Sequence, residues 1–323
     1  MEFSLTGFGS KKREAVEKEV KILILGAGPA GMAAALYAAR AELEPVILTG
    51  MQLGGQAALT HTIENYPGFP EGVGGTELGD LFQKQAEHFG AIVEFGSATA
   101  VDLSSKPFKV ITDSGTNFNA RSLIIATGAQ FNHLNIPGEK ELTGKGVSYC
   151  GTCDGWFFKN KDIIVVGGGD SAVEEAIFLT RFATSVTIVH RRDELRAGAI
   201  LQKRAKENPK IRFIWNTVIT EITGDDAVNS VVLKDVVSGK TLQHKTDGVF
   251  IFVGHTPNSA IFKGQLEIDS SGCIVVDSLM QTNVPGVFAA GEVADPHFRQ
   301  VVTSAGMGAA AAIQATKFLE AVE

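Results

Sequence analysis

Apolar positions along the chain fall into short, dense runs separated by glycine-rich turns. Val20-Lys-Ile-Leu-Ile-Leu25 is a nearly unbroken aliphatic run, the pattern of a parallel strand buried on both faces rather than the alternation of a half-exposed one. Gly26-Ala-Gly-Pro-Ala-Gly31 follows directly, then an alanine-rich, helix-prone stretch over 32–40, then a second strand-like run, Glu44-Pro-Val-Ile-Leu48. Strand, glycine turn, helix and strand make one βαβ unit. The same order returns with Asp162-Ile-Ile-Val-Val-Gly167, the turn Gly167-Gly-Gly-Asp-Ser-Ala172, a helix over 173–181 and the strand Ser185-Val-Thr-Ile-Val189. A further run echoes in each half: Ser122-Leu-Ile-Ile-Ala-Thr-Gly128 matches Gly248-Val-Phe-Ile-Phe-Val-Gly254 in pattern. Strand-like segments at 211–215, 228–237 and 241–244 predict an antiparallel flap completing the second unit. This internal recurrence predicts an α/β chain of two related, Rossmann-like nucleotide-binding domains, each built in three layers.

A length of 323 residues suits two domains. With 44% apolar residues, 20% charged residues and a net charge of -7, the chain is neither disordered nor a basic nucleic-acid binder. The N-terminus shows no basic stretch leading into an apolar run, and no apolar run approaches the ~20 residues that cross a bilayer. A cytoplasmic protein with no membrane or nucleic-acid partner is therefore expected. Residues 1–19 carry alternating charges and read as a solvated lead-in, compatible with a short helix. Glycine is in excess, 36 of 323 residues against an average of about 7%.

The glycines of the two turns have a physical role. A dinucleotide site needs a tight turn, close approach of backbone to pyrophosphate, and a helix packed near its strand. The helix N-terminus supplies free N–H groups and the positive end of the dipole. Gly26, Gly28 and Gly31 fit that spacing, as do Gly167 and Gly169 with Ala172 in the third place. In the second unit the position that commonly holds an acid for the ribose 2′-hydroxyl is occupied by His190-Arg191-Arg192, with Arg196 one turn on. Guanidinium groups there pair with a 2′-phosphate that a carboxylate would repel, so the second site is expected to prefer NADPH to NADH. The first unit has neither acid nor arginine at that place, since Thr49-Gly50 closes its second strand. Leu53-Gly54-Gly55-Gln56 and Gly291-Glu292-Val293-Ala294-Asp295 have the look of backbone turns reaching a larger cofactor.

The three cysteines lie at 150, 153 and 273, too few for a disulfide-stapled secreted scaffold. Cys150-Gly151-Thr152-Cys153 has the spacing of a thiol-exchange pair. Zinc and a purely structural disulfide are the alternatives. Zinc needs four ligands, and only Cys273 and scattered histidines are available, at no matching spacing; a cytoplasmic chain seldom keeps a structural disulfide. Asp154, next to the pair, is placed to shuttle a proton during exchange. Cys273 reads as an ordinary buried cysteine.

Taken together, these segments resemble the low-molecular-weight thioredoxin reductases of bacteria and archaea, class II of the pyridine nucleotide-disulfide oxidoreductases. The likeness runs from about Lys21 to the C-terminus. It includes Gly26 to Gly31, Thr49-Gly50-Met51 with Gly54-Gly55-Gln56, Glu64-Asn65-Tyr66-Pro67-Gly68, Ala126-Thr127-Gly128, Cys150 to Asp154, Gly167 to Ala172 and His190 to Arg196. It closes with Gly254-His255-Thr256-Pro257-Asn258 and Arg299-Gln300 before Ser304 to Gly308.

The resemblance implies FAD in the first site, bound by Gly26, Gly28, Pro29, Ala30, Gly31, Thr49, Gly50, Leu53, Gly54, Gly55, Gln56, Asn65, Ala126, Thr127, Gly128, Gly291, Glu292, Arg299, Gln300 and Val301. It implies NADPH in the second, on Gly167, Gly168, Gly169, Asp170, Ser171, Ala172, Glu174, His190, Arg191, Arg192, Arg196, Gly254 and His255, and no metal. The FAD domain would be discontinuous, 1–128 and 256–323, with the NADPH domain, 129–255, inserted and carrying the cysteines. The same likeness implies a homodimer whose electrons run from NADPH through the flavin to the Cys150–Cys153 disulfide. From there they pass to thioredoxin or a similar small dithiol protein. Cys153 would be the sulfur nearer the flavin, Cys150 the attacking one and Asp154 the proton donor and acceptor. The domains would alternate between two orientations about 128–132 and 254–258. Two features depart from the family pattern: Glu292 stands where an aspartate is usual, and the lead-in is long. Ferredoxin-linked, dithiol-oxidase and ferredoxin-NADP reductase relatives fit less well, because each lacks the basic pocket, the use of NADPH or the cysteine pair. A non-catalytic NADPH sensor is the alternative from another class.

Overall fold

The computed structural model describes residues 16–322 apart from positions 51 and 61, so 1–15 of the lead-in lie outside the described residues. The described residues form two compact units: 16–58, 76–128 and 257–322 cluster as one, and 59–75 with 129–256 as the other.

The first unit opens with β1 (Val16–Leu25), α1 (Pro29–Arg40) and β2 (Val46–Leu48), the predicted βαβ order. Residues 16–19 correct the lead-in expectation, since they form the exposed outer half of β1. Register with 116–119 of a later strand satisfies their backbone, and their charges face water, where Glu17 accepts from Asn117 and Lys18 pairs with Glu94. The unit continues through α2 (Gly75–His88), β3 (Ile92–Glu94), β4 (Ala98–Asp102), β5 (Phe108–Thr112) and β6 (Thr116–Ile125). β3, β2, β1 and β6 run parallel, and β5 and β4 extend the sheet antiparallel from β6.

The second unit contains β7 (Ala129–Phe131), β8 (Val147–Ser148), the one-turn α3 (Gly151–Asp154), β9 (Asp162–Val166), α4 (Asp170–Leu179), β10 (Ser185–Val189), α5 (Ala199–Glu207) and β11 (Ile211–Ile214). β12 (Thr217–Gly224), β13 (Val228–Asp235), β14 (Thr241–Lys245), β15 (Gly248–Ile251) and β16 (His255–Pro257) complete it. Its sheet is parallel in the order β11-β10-β9-β15-β8. The antiparallel flap is β12-β13-β14. The run at 211–214, expected in the flap, is instead the edge strand of the parallel sheet. Asn216, with φ of 50°, turns the chain after it, and the flap takes Thr217–Gly224 as its first strand.

Returning to the first unit, β17 (Val287–Ala289) pairs with the C-terminal end of β6 alongside Leu123–Ile125, while β5 pairs with its N-terminal half. α6 (Val301–Val322) then packs on α1.

The layering follows from strand periodicity. Ile22 and Ile24 of β1 face α1 and α6, joining Ala34, Ala38, Ala311 and Ala315, whereas Leu23 and Leu25 face the opposite side with Phe108, Phe118, Phe262 and Ile274. In the second unit Ile163 and Val165 pack on Val173, Ala176 and Leu179 of α4; Ile164 and Val166 pack under the flap, against Ile219, Val231 and Leu233. The α1–α6 contact is tight enough that a side chain at Gly308 would overlap the carbonyl of Ala30. That contact holds the start of α1, and with it the first glycine turn.

Candidate active site

In the first unit the chain leaves β1 at Leu25 and must reverse at once into α1. Gly26 adopts φ of 105°, a left-handed conformation costly for any residue with a Cβ, and donates its N–H to the Leu48 carbonyl at 2.8 Å. Gly28 is the N-cap of α1 and offers no capping side chain, and Pro29, at the first helical position, has no N–H. The remaining first-turn amides therefore face the turn, the arrangement that receives a phosphate.

Three further segments converge on that helix end. Gly54 donates to the Ala27 carbonyl at 2.9 Å, and a Cβ on Gly55 would lie 3.2 Å from the Cα of Gly28. Ala126 donates to the Leu25 carbonyl at 2.8 Å, and Thr127 and Asn258 exchange side-chain and backbone hydrogen bonds, both at 2.8 Å. A Cβ on Gly291 would sit 2.8 Å from that of Ala30. Buried Asp295 ties this last turn to α6: its N–H donates to the Gly291 carbonyl, and its carboxylate accepts from the backbone N–H groups of His297, Phe298 and Arg299, each at 2.9 Å. Arg299, Gln300 and Val301 are thereby fixed at the head of α6. Leu53 packs partly buried against the helix-side core, and the hydroxyl of buried Thr49 bonds the Gly50 carbonyl at 3.0 Å. Asn65 lies in the 59–75 segment that clusters with the second unit.

These residues suit a large phosphate-bearing cofactor. The turns form a cradle that side chains would fill, and Nε of Arg299 is shielded from solvent with no hydrogen-bond partner among the described residues. Glu292 is a buried acid of the cradle, beside Asp295 and Arg299. Burial pushes its carboxyl up to about 7, with Arg299 opposing and Asp295 adding to the rise.

The second glycine turn repeats the device with a different lining. Gly167, with φ of 145°, follows β9, and Gly169 caps α4 without a side chain. The Gly168 carbonyl accepts the N–H groups of Arg196 and Ala197 at 2.7 and 3.1 Å, and the Asp170 carboxylate accepts from the Gly198 N–H at 2.7 Å. The loop carrying the arginines is therefore held to the turn, and a Cβ on Gly169 would lie 3.9 Å from Nη2 of Arg196. The His190 ring packs so closely on Gly168 that any side chain there would collide with it. Burial, then the charges of Arg196, Arg192 and Arg191, lower the pKa of His190. Nε2 of His190 is buried and has no hydrogen-bond partner among the described residues, while Arg191 and Arg192 are exposed. Such a site fits a nucleotide with an additional phosphate. Ser171, Ala172 and Glu174 line the first turns of α4, and Gly254 and His255 lead into β16.

The cysteines sit on α3, at the end of β8. Cys150 and Cys153 are joined as a disulfide with their Cα atoms 5.3 Å apart, and the Cys150 sulfur accepts the Cys153 N–H at 3.2 Å. Ser148, on β8, organises the turn: its Oγ accepts the Cys150 N–H at 3.1 Å and donates to Oδ2 of Asp154 at 2.6 Å. Burial raises the pKa of Asp154, and the Ser148 bond partly offsets the rise. Tyr149 donates to Glu139 at 2.8 Å, so the residue before the pair is anchored as well. Glu139 also accepts from the backbone N–H groups of Leu134 and Asn135; although burial opposes it, these bonds hold its carboxylate below the usual range. Beyond the pair, Trp156 and Phe157 stand 53% and 43% exposed. Cys273 is buried and free.

Ser148, Glu139 and Asp295 are absent from the residues nominated by sequence. A serine two positions before a cysteine pair was the available signal for the first. Glu139 reaches Tyr149 ten residues on, and Asp295 caps the amides of 297–299, contacts that the sequence reading does not single out. Among the described residues no group of three or more His, Cys, Asp or Glu could hold a metal, and no helix is long and apolar enough to cross a membrane.

The arrangement, two dinucleotide turns and a redox-active cysteine pair, defines a class, and comparison with known proteins agrees. Residues 20–308 match the family model described as pyridine nucleotide-disulphide oxidoreductase, and the chain belongs to that family. It is 47% identical over 312 residues to a thioredoxin reductase of Peptoclostridium acidaminophilum, spanning 95% of this chain and 99% of the relative. It is 49% identical over 299 residues to one from Mycolicibacterium smegmatis, spanning 92% and 96%. The crystal structure of thioredoxin reductase from Streptococcus pyogenes superimposes with a TM-score of 0.90 at 44% identity, covering 94% of this chain and 99% of that one.

Proposed function

We infer that the chain is an NADPH-dependent, FAD-containing thioredoxin reductase. The observation that carries this is the Cys150–Cys153 disulfide with the buried Asp154 beside it, in the same compact unit as a glycine turn to which the Arg196 loop is hydrogen-bonded. The first unit is the FAD domain. Gly26 to Gly31 take its pyrophosphate, and Thr49, Gly50, Leu53 to Gln56, Ala126 to Gly128, Gly291, Glu292 and Arg299 to Val301 take the remainder. The second unit is the NADPH domain, with Gly167 to Ala172 and Glu174 at the pyrophosphate turn, His190 to Arg192 and Arg196 at the 2′-phosphate, and Gly254 and His255 beyond. FAD, when bound, supplies two-electron exchange between the nicotinamide and the disulfide.

The chain's own residues do the rest. Once the pair is reduced, the Cys150 thiolate attacks one sulfur of the thioredoxin disulfide, forming a mixed disulfide and releasing the other thioredoxin sulfur as a thiolate. Cys153 then attacks Sγ of Cys150, which restores the internal disulfide and frees the second thioredoxin thiolate. Asp154 holds the moving proton on Oδ2, where Ser148 fixes its orientation. Exposed Trp156 and Phe157, immediately after the pair, give an apolar surface suited to a protein substrate rather than a small disulfide. The enzyme works as a cytoplasmic homodimer.

The test is reconstitution. The purified protein should be yellow, and it should reduce insulin with NADPH only when thioredoxin is present. A colourless protein, or NADPH oxidation that ignores thioredoxin, overturns the reading.

The Asp154 role makes a separate prediction. Because burial raises its pKa, Asp154 keeps its proton to higher pH than an exposed aspartate and serves as a donor closer to neutrality. Asp154→Asn keeps the hydrogen bond to Ser148 but cannot exchange a proton. Turnover should fall about 10- to 100-fold, and the pH–rate profile between pH 5 and 9 should lose the limb belonging to this group. A variant that retains that limb would exclude Asp154 as the proton carrier.

A further inference from the structure

The redox turn rests against a carboxyl that the mechanism above does not use. Glu175 lies in α4, the helix on which α3 packs, and any side chain placed on Gly151 would collide with its Oε2 and come within 3.5 Å of Leu179. Gly151 directly follows Cys150, so the Glu175 carboxyl fills the space where a side chain of the redox turn would otherwise be. That oxygen is shielded from solvent and has no hydrogen-bond partner among the described residues, a costly condition for a polar atom.

The charges on the elements around it do not neutralise it. On α3, Asp154 is taken by Ser148; on α4, Asp170 is taken by the Gly198 N–H and Glu174 is exposed. On α5, Lys203 pairs with Glu207 at 3.9 Å and Lys206 with Gln202 at 3.4 Å, while Arg204 is exposed. Asp162 at the start of β9 bonds Ser185, and β10 carries no ionisable side chain. Burial, with the neighbouring charge of Glu174, pushes the Glu175 carboxyl up to about 7. It therefore changes charge within the working range of a thiol.

We propose that Glu175 is a positioning residue for the redox pair: protonated, it packs against Gly151 without charge, and ionised, it sets a negative charge beside Cys150 that holds down the thiolate of that sulfur. The inference rests on Cys150 being the attacking sulfur of the proposed reductase. Cys150 is the sulfur that accepts the Cys153 N–H, a bond that favours its thiolate, and Glu175 acts in the opposite sense. As the pH rises through about 7, Glu175 gains its charge, so the thiol ionises against a growing negative charge. The titration of the thiol is thereby stretched over a wider range than one proton requires.

The experiment is alkylation of the holoenzyme, reduced anaerobically with excess dithiothreitol, by iodoacetamide from pH 5 to 10. Peptide mass mapping assigns the rate to each cysteine. In Glu175→Gln, Cys150 should react at the wild-type rate below about pH 6 and up to roughly tenfold faster between about pH 7 and 9, the size expected of a one-unit shift in thiol acidity. Glu175→Met should do the same. Profiles that coincide with wild type, or that shift uniformly down to acid pH as a packing defect would produce, overturn the proposal. If neither variant folds, the wild-type profile decides: a broadened Cys150 titration supports the proposal and a simple one-proton curve rejects it. The readout uses neither NADPH nor thioredoxin. Flat profiles would remove the Glu175 role while leaving the reductase reading intact, and failure of thioredoxin reduction would remove that reading without altering the alkylation result.

Discussion

Cys150→Ser should lower NADPH-driven, thioredoxin-dependent turnover by about three orders of magnitude or more. The step that disappears is attack on the partner's disulfide, which needs a thiolate; a serine hydroxyl is not ionised near neutral pH and forms no mixed disulfide. Cys153→Ser should stop turnover as completely but at a later point. Its Cys150 attacks thioredoxin once and is then trapped, because no second sulfur remains to release it. The two variants are told apart by non-reducing electrophoresis after incubation with thioredoxin: a covalent adduct accumulates with Cys153→Ser and is absent with Cys150→Ser. Bleaching of the yellow colour by NADPH should persist in both, since neither cysteine belongs to the glycine turns. Full activity in either variant would remove the disulfide from the mechanism.

Much of this was legible in the sequence because the informative features are local. An aliphatic run followed by Gly-x-Gly-x-x-Gly, or by the variant ending in Ala172, has few solutions other than a buried strand turning sharply into a helix, and both copies form that way. Cys150 and Cys153 are close in sequence, so one turn of helix suffices to bring them to bonding distance. The errors lie where partners are distant. Residues 16–19 look like solvated charge, and only the parallel register with 116–119 makes them strand. The run at 211–214 resembles its neighbours in the flap, but its pairing with β10 across α5 assigns it to the parallel sheet, a choice settled by Asn216 turning the chain afterwards.

The carboxylates around the cysteines show the same limit. Asp154 is adjacent to Cys153 and could be nominated by position. Glu174 and Glu175 are adjacent on one helix, and the resemblance singles out only Glu174, yet Glu174 is exposed and Glu175 is turned in against Gly151. The helical rotation of about 100° per residue sends consecutive side chains in different directions. Which of the two meets α3 depends on how α4 docks on the redox turn. Spacing alone therefore finds the nucleotide turns and the sulfurs, while the groups that tune the sulfurs come from packing.

The second large effect is on cofactor choice. The double substitution Arg191→Ala, Arg192→Ala should raise KM for NADPH about 10- to 100-fold, leave KM for NADH nearly unchanged, and alter kcat little with either. Charge-assisted hydrogen bonds to a phosphate contribute roughly 1.5–3 kcal/mol each when well shielded. Both guanidinium groups here are exposed, so solvent and salt screen them and the lower part of that range applies to the pair. Arg196 remains, held to the glycine turn through its backbone bond to Gly168, and keeps part of the attraction for the 2′-phosphate. Its presence is why the loss stops short of complete indifference between the two nucleotides. The removed charges also act on His190. Without them two lesser causes of its lowered pKa are gone, and the imidazole protonates at higher pH than in the wild type, with burial and Arg196 still opposing it. The deficit in NADPH binding should therefore shrink as the pH falls and an imidazolium replaces some of the missing positive charge, and it should shrink with added salt because the wild type loses more by screening. Equal changes in KM for NADPH and NADH would show that the arginines do not face the 2′-phosphate.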